Sequence, residues 1–247
     1  MIAILSDIHG NLEALEAVLD DAARHGADEI VCLGDTVGYG PNPIECVTLS
    51  MDWPVVLMGN IDHAAAFDVE LTAESVERSL ASFRTFLKSK EGNRHREFLQ
   101  SRPRAYSRGN LIFVHGTPRH PLHEYIVPED VYNAKKMHAI AATFVGCVFH
   151  GHTHIPGVML EEKPGRWGYL TPDECGCEYR INDRRALCGV GSVGQPRDGD
   201  WRASYVLLDG ERVLYRRVEY DVDRTVQKVL DNPELADFLG EQLREGR

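Results

Sequence analysis

No apolar run in the 247 residues approaches the roughly 20 that a membrane-spanning helix needs, which excludes a helical anchor. An excess of basic charge is missing too: 27 Lys and Arg stand against 38 Asp and Glu, a formal net charge of −11. That balance argues against non-specific binding to nucleic acid or to an anionic membrane, both of which want basic patches. Met1 runs straight into "IAILSDIHG", with no basic segment before the short apolar stretch and no cleavage-like site after it. The expectation is a cytoplasmic protein with no signal peptide. Internal repeats and low-complexity tracts are also missing. Cysteine is sparse and scattered: Cys32, Cys46, Cys147, Cys175, Cys177 and Cys188. Cys32 and Cys147 fall inside apolar strand-like runs and read as buried free thiols. The one close pair, Cys175-Gly-Cys177, is a weak metal or redox signal and reads as a turn with incidental thiols.

What is present is ordinary for a globular domain, 43% apolar and 26% charged residues, in a chain long enough to bury a proper core. The first half alternates short apolar runs with helical patterns. "IAIL" precedes "NLEALEAVLDDAARHG", apolar at Leu12, Leu15, Val18 and Leu19 and closed by Gly26. "EIVCL" follows, then a Pro-rich turn, a short helix near Ile44 to Leu49, and "PVVLM". A charged helical stretch over residues 72–100 leads to "LIFV", a long loop, a helix over about Glu129 to Ala142, and "GCVF". Strands alternating with helices imply a largely parallel, covered sheet. From Gly157 to Tyr220, short strand patterns such as "RALCGVG" and "ASYVLLDG" are separated by turns, and "LLDGERVLY" reads as a hairpin. These predict a second, mostly antiparallel sheet packed on the first, and a helical tail from Asp221. No linker divides the chain, so residues 1–247 are expected to form a single domain.

Five of the apolar runs end alike. "IAILS" is followed by Asp7 and His9, "EIVCLG" by Asp35, "PVVLMG" by Asn60, "LIFV" by His115, and "GCVFHG" by His152 and His154. The carboxyl ends of parallel strands share one edge, where ligands bind. These seven side chains should therefore converge, although they run from residue 7 to residue 154. One Asp or His after a strand is ordinarily a turn residue or a cap. Five strand ends all carrying metal-type side chains, with Gly10, Gly34, Gly59, Gly116 and Gly151 beside them, are hard to explain as turns. The mixture of imidazole and oxygen donors suits divalent metals. Seven donors are many for one ion with an open position, and two ions sharing a carboxylate use them better.

The segments "DIHG", "GDTVGYG", "GNID", "HGTP" and "GHTH" resemble the five motifs of the calcineurin-like metallophosphoesterase superfamily. More closely, the chain resembles the compact bacterial and archaeal predicted phosphodiesterases, which share a segment like "GSVGQPRDGD". The resemblance runs from residue 1 to about residue 218. It implies an α/β fold, a four-layer αββα sandwich of two mixed sheets flanked by helices. It implies that Asp7, His9, Asp35 and His154 hold one divalent ion (Mn, Zn, Fe or Ni) and that Asp35, Asn60, His115 and His152 hold a second, with Asp35 bridging. It also implies hydrolysis of a phosphodiester, phosphomonoester or nucleotide by a water that the two ions make acidic. His150 matches no motif position and is expected to support the site or the core, as are Ser6 and Ser192.

The chain departs from the pattern at one place. Many members of the superfamily carry a general-acid His directly after the motif Asn, where this sequence has Ile61. Asp62 and His63 come next and are the candidates for that catalytic role, although Asp62 reads better as a helix cap or as the partner of a ligand. On the substrate side, "HGTPRHPLHEY" offers Arg119, His120, His123 and Tyr125, and "GQPRDGD" offers Gln195, Arg197 and Asp198. Arg197 and Arg119 are the guanidinium candidates for a phosphate oxygen. The expected partner is a small phosphoester, with no membrane partner, nucleic acid disfavoured by the charge, and oligomeric state open. A nuclease and a metal-binding interaction module with little turnover are the alternatives.

Overall fold

A computed structural model describes residues 1–247. Its strands are β1 (Ile2–Leu5), β2 (Glu29–Cys32), β3 (Val55–Val56), β4 (Ala105–Arg108), β5 (Leu111–Val114), β6 (Cys147–His150), β7 (Pro156–Lys163), β8 (Arg166–Leu170), β9 (Glu178–Arg180), β10 (Ala186–Val190), β11 (Ala203–Asp209) and β12 (Arg212–Val218). They form two six-stranded sheets, ordered β3-β2-β1-β11-β12-β9 and β4-β5-β6-β10-β7-β8. Each sheet is mixed. β1, β2 and β3 run parallel, then β11, β12 and β9 add antiparallel; β5, β6 and β10 run parallel between antiparallel β4 and β7.

This corrects one expectation. The two halves of the chain do not form one sheet each. The first half splits between the sheets, and the second half completes both: β11 pairs with β1, and β10 with β6. The reading from local pattern could not see this, because β1 and β11 pair Ile2 with Leu208, far apart in sequence, while each strand looks the same whichever sheet receives it.

Alternation along the strands builds the layers. In β1, Ile4 faces the second sheet and joins Val31, Leu33, Leu57, Phe113, Phe149 and Val206 in the core between the sheets. Ala3 and Leu5 point the other way, beneath α1 (Leu12–Arg24), against Leu15, Val18, Tyr205 and Leu207. The outer face of the second sheet buries Val114, Val148 and Leu187 under a helix that holds Met137 and Ile140. Each fully buried aliphatic side chain contributes about 1.5–3 kcal/mol by leaving water. The product is the helix–sheet–sheet–helix sandwich that the resemblance implied.

Further helices are α2 (Pro43–Ser50), α3 (Asn60–Phe67), α4 (Glu74–Ser79), α5 (Ala81–Lys88), α6 (Asn93–Gln100), α7 (Ala134–Ala141), α8 (Val222–Leu230) and α9 (Asp237–Glu241). The helical stretch over residues 72–100 is thus three helices; Ser89 is extended and its Oγ accepts from the Gly92 N–H (3.0 Å), which restarts the chain as α6. The expected helix over Glu129 to Ala142 is broken as well. A 3₁₀ turn over Pro128–Tyr132 ends at Asn133, whose side chain accepts from the Lys136 N–H (3.1 Å) and starts α7 afresh. β4 was not foreseen, and α3 only through the reading of Asp62 as a helix cap. "LLDGERVLY" is a hairpin, with Asp209 paired to Arg212 across Gly210-Glu211. No helix is long and apolar enough to cross a membrane.

Candidate metal centre

The carboxyl ends of β1, β2 and β3 and those of β5 and β6 open onto the same space, so the five strand-end motifs meet although they belong to two sheets. Two groups of metal-type side chains form there: Asp7, His9 and His154, and Asp35, His115 and His152, all buried. Within each group the potential ligand atoms lie within 4.8 Å of one another. Asn60, at the start of α3, brings its Oδ1 to 3.0 Å from His115 Nε2. All seven side chains singled out from the strand ends are therefore in one place.

The backbone is bent to put them there. Eight non-glycine residues adopt positive φ, and five are Asp7, His9, Asp35, His152 and His154. Left-handed backbone costs such residues energy and persists where the surroundings enforce it, typically at functional sites. Two glycines permit the close approach. A Cβ on Gly59 would collide with the Asp35 carboxylate, and one on Gly151 with Asp7 Oδ2 and Ser6 Oγ.

The hydrogen bonds divide each side chain into an anchored atom and a free one. Asp7 Oδ2 accepts from the His152 N–H (2.9 Å), while buried Oδ1 has no hydrogen-bond partner. Asp35 Oδ1 accepts from the Ile61 N–H (2.7 Å), leaving Oδ2 facing His115 Nε2 at 3.3 Å and His9 Nε2 at 3.9 Å. His9 Nδ1 lies 3.0 Å from the Val37 carbonyl and His154 Nδ1 2.5 Å from the Gln195 carbonyl. A carbonyl only accepts, so both Nδ1 atoms carry a proton, and each ring in its neutral form presents an Nε2 lone pair to the site. Those lone pairs face each other at 3.1 Å, with the unpartnered Asp7 Oδ1 beside them. Such a set is repulsive by itself and is satisfied by a cation, so these residues fit a bound divalent metal.

The electrostatics point the same way. Burial opposes charge on Asp7, but His154, His9 and His115 outweigh it and hold the carboxyl well below its usual range. Asp35 is likewise lowered against burial, by His115 and His9. Burial pushes His152 and His154 down to about 4, so both rings are neutral and able to ligate at neutral pH. Burial lowers His115 too, but Asp35 and Asp7 prevail and raise it to about 9: the carboxylates draw a positive charge into this space.

The remaining candidates separate. Asp62 is buried and accepts from the N–H groups of Thr36 (2.9 Å), Val37 (3.2 Å) and Gly59 (3.2 Å). It caps α3 and ties that helix to the loop carrying Asp35, as the capping reading expected. His63 is half-buried against Phe67 and lies edge-on to His123. Arg197 donates to Gln195 Oε1 (2.6 Å) and sits 5.6 Å from the ring centroid of Tyr39, which itself meets His9 edge-on at 4.7 Å. Asp198 turns away to pair with Arg217. Arg119 pairs with Glu124 on the loop after His115. Tyr125 of that loop lies flat on His152, with ring centroids 3.8 Å apart. His150 is buried outside both groups, and burial pushes it to about 4. Ser192 is structural: its Oγ donates to the Asp7 carbonyl (2.7 Å) and accepts from the Gln195 N–H (2.7 Å). All six cysteines are free, and none belongs to either donor group. Sequence reasoning overlooked Tyr39. Its place between two glycines in "GDTVGYG" was the available signal; in the structure it adopts positive φ.

Comparison with known families agrees with this geometry. A family profile described as the calcineurin-like phosphoesterase superfamily domain matches residues 1–212. The chain belongs to this superfamily. It is 39% identical over 258 residues to an uncharacterized protein of Methanocaldococcus jannaschii, covering 100% of this chain and 98% of that one. The crystal structure of a metallophosphoesterase from Sphaerobacter thermophilus is similar with a TM-score of 0.85 and 35% identity, over 100% of this chain and 98% of that one. A hypothetical protein of Pyrococcus horikoshii shares the fold, with a TM-score of 0.75 and 20% identity over 100% and 99% of the two chains. The superfamily is metal-dependent, and the two donor groups stand where this chain can hold metal.

Proposed function

We propose that the chain hydrolyses small phosphodiesters at a two-metal centre. The observation that carries this reading is the pair of buried donor groups with Asp35 Oδ2 between them, 3.3 Å from His115 and 3.9 Å from His9. Asp7, His9, Asp35 and His154 would hold one divalent ion, and Asp35, Asn60, His115 and His152 the other. When bound, such a pair supplies the charge that acidifies a water and offsets the charge on phosphoryl oxygens.

The chain's own residues do the rest. Backbone N–H groups pin one oxygen of Asp7 and one of Asp35, which aims the other oxygen inward before any substrate arrives. Burial of Asp7 and Asp35 keeps bulk water from screening their charge. Arg197, held by Gln195 above Tyr39, is the guanidinium best placed to orient a phosphoryl oxygen. Asp62 and His63 are the two candidates to deliver a proton to the leaving group: burial and Asp35 raise the Asp62 carboxyl to about 7, whereas burial and Arg104 lower His63.

The test is hydrolysis of bis(4-nitrophenyl) phosphate by metal-replete protein, with the monoester 4-nitrophenyl phosphate in parallel. Wild type turns over the diester faster than the monoester, and Asp35→Asn lowers the diester rate by about 10³-fold or more, because a Lewis-acid contribution is worth several kcal/mol. Tight metal binding without turnover of either ester would favour the interaction-module reading. Cleavage of DNA in preference to both would favour the nuclease.

A further inference from the structure

The loop that follows His115 does more than carry that residue. Its Gly116 N–H donates to the Pro121 carbonyl (2.6 Å), folding residues 116–121 into a tight turn. Its His123 carbonyl lies 3.3 Å from His152 Nε2, so the turn abuts the second donor group directly. On its outer side it forms a groove of about 480 Å³ lined by Arg104, Arg119, His120, His123 and Glu124.

The charge of this groove is out of keeping with a protein of net −11. Its one acid, Glu124, is spent on Arg119 and on Thr117 Oγ1 (2.6 Å). Arg104 makes no ion pair and is exposed, and the preceding residue fixes its place: the Pro103 carbonyl accepts from the Met58 N–H (2.9 Å) beside the "GNID" turn. A guanidinium is a donor-only group of the kind that phosphate selects, and each imidazole beside it can supply a further N–H. A larger cavity of about 660 Å³ near Tyr169 and Tyr215 offers no such surface, because its Arg202, Arg216 and Arg217 each pair with an aspartate.

We propose that this groove receives a second, non-scissile phosphate of the substrate, so that the preferred substrates carry another phosphate beyond the bond that is cut. The inference rests on the phosphodiesterase reading and deepens it: the groove selects among diesters by binding, and takes no part in the chemistry. Arg104 is the specificity-determining side chain, with His120 and His123 beside it in the lining.

The experiment compares thymidine 3′-(4-nitrophenyl phosphate) with the same ester bearing a 5′-phosphate, in metal-replete protein. Both release 4-nitrophenolate, so only the non-scissile phosphate differs. The 5′-phosphorylated ester is expected to show a KM about tenfold lower in wild type, the scale of one charge-assisted hydrogen bond. Arg104→Ala should erase that advantage while leaving the KM of the other ester and both kcat values unchanged, and Arg104→Lys should keep most of it. Equal KM values in wild type would overturn the proposal, as would an Arg104→Ala variant that raises both KM values alike. Failure of wild type to cleave either ester would instead strike the phosphodiesterase reading, and the groove's role would fall with it.

Discussion

The two donor groups look alike in composition and differ in how they are held. In the group of Asp7, His9 and His154, each imidazole has its far nitrogen fixed on a backbone carbonyl, at 3.0 Å to Val37 and 2.5 Å to Gln195. Tyr39 packs against the rim. In the group of Asp35, His115 and His152, His115 Nδ1 is buried with no partner, and His152 reaches the His123 carbonyl at 3.3 Å. Its cover is a loop with Tyr125 exposed. Hydrogen bonds from behind a ligand fix its tautomer and direction, and they are commonly worth about 10–100-fold in metal affinity. The first group is thus fixed from behind by short hydrogen bonds, while the second is held more loosely under an exposed loop. Under the proposed reading the first group should hold its ion more tightly by about that factor.

The sharpest way to break this contrast is to remove one ring from each side. His154→Ala is expected to abolish the tighter binding step, a loss beyond the roughly 10–100-fold that an outer partner contributes. His152→Ala should remove the weaker step and leave the tighter one in place, with hydrolysis lost in both variants. Metal titration of each variant checks this. If His152→Ala weakened the tighter step instead, the ranking of the two groups would be reversed. A smaller effect is expected at Asp62, which joins the halves by tying the Asp35 loop to α3. Asp62→Ala leaves buried N–H groups without acceptors and should cost about 1–3 kcal/mol each at the upper limit, less where the loop relaxes. Asp62→Asn keeps an acceptor oxygen and should cost less. Thermal unfolding with both variants measures the difference; an Asp62→Asn variant that folds as stably as wild type yet loses all turnover would show a chemical role in place of the cap.

The contrast also shows what a sequence can carry. The donor set was legible because Asp7, His9, Asp35, Asn60, His115, His152 and His154 each follow a short apolar run, and strand ends converge whichever sheet holds them. The division into two sheets was not legible from pattern, since β1 finds β11 and β6 finds β10 through contacts that leave no local mark. The capping role of Asp62 could be read from its place just after Asn60. The anchoring of His9 and His154 could not, because their acceptors are the main-chain carbonyls of Val37 and Gln195, and any residue supplies a carbonyl. Arg119 and Arg104 show the same limit. The sequence singled out Arg119 for following a motif, and the structure pairs it with Glu124, while Arg104, far from any motif, stands unpaired in the same groove.

Under the proposed reading one chain holds two ions at groups of unequal preparation. Calorimetric titration of metal-stripped protein with Mn²⁺ tests it most directly. The expected result is two ions per chain in two resolved steps, with midpoints separated by about 10–100-fold and with the tighter step lost in His154→Ala. A single step that saturates at one ion per chain would contradict it.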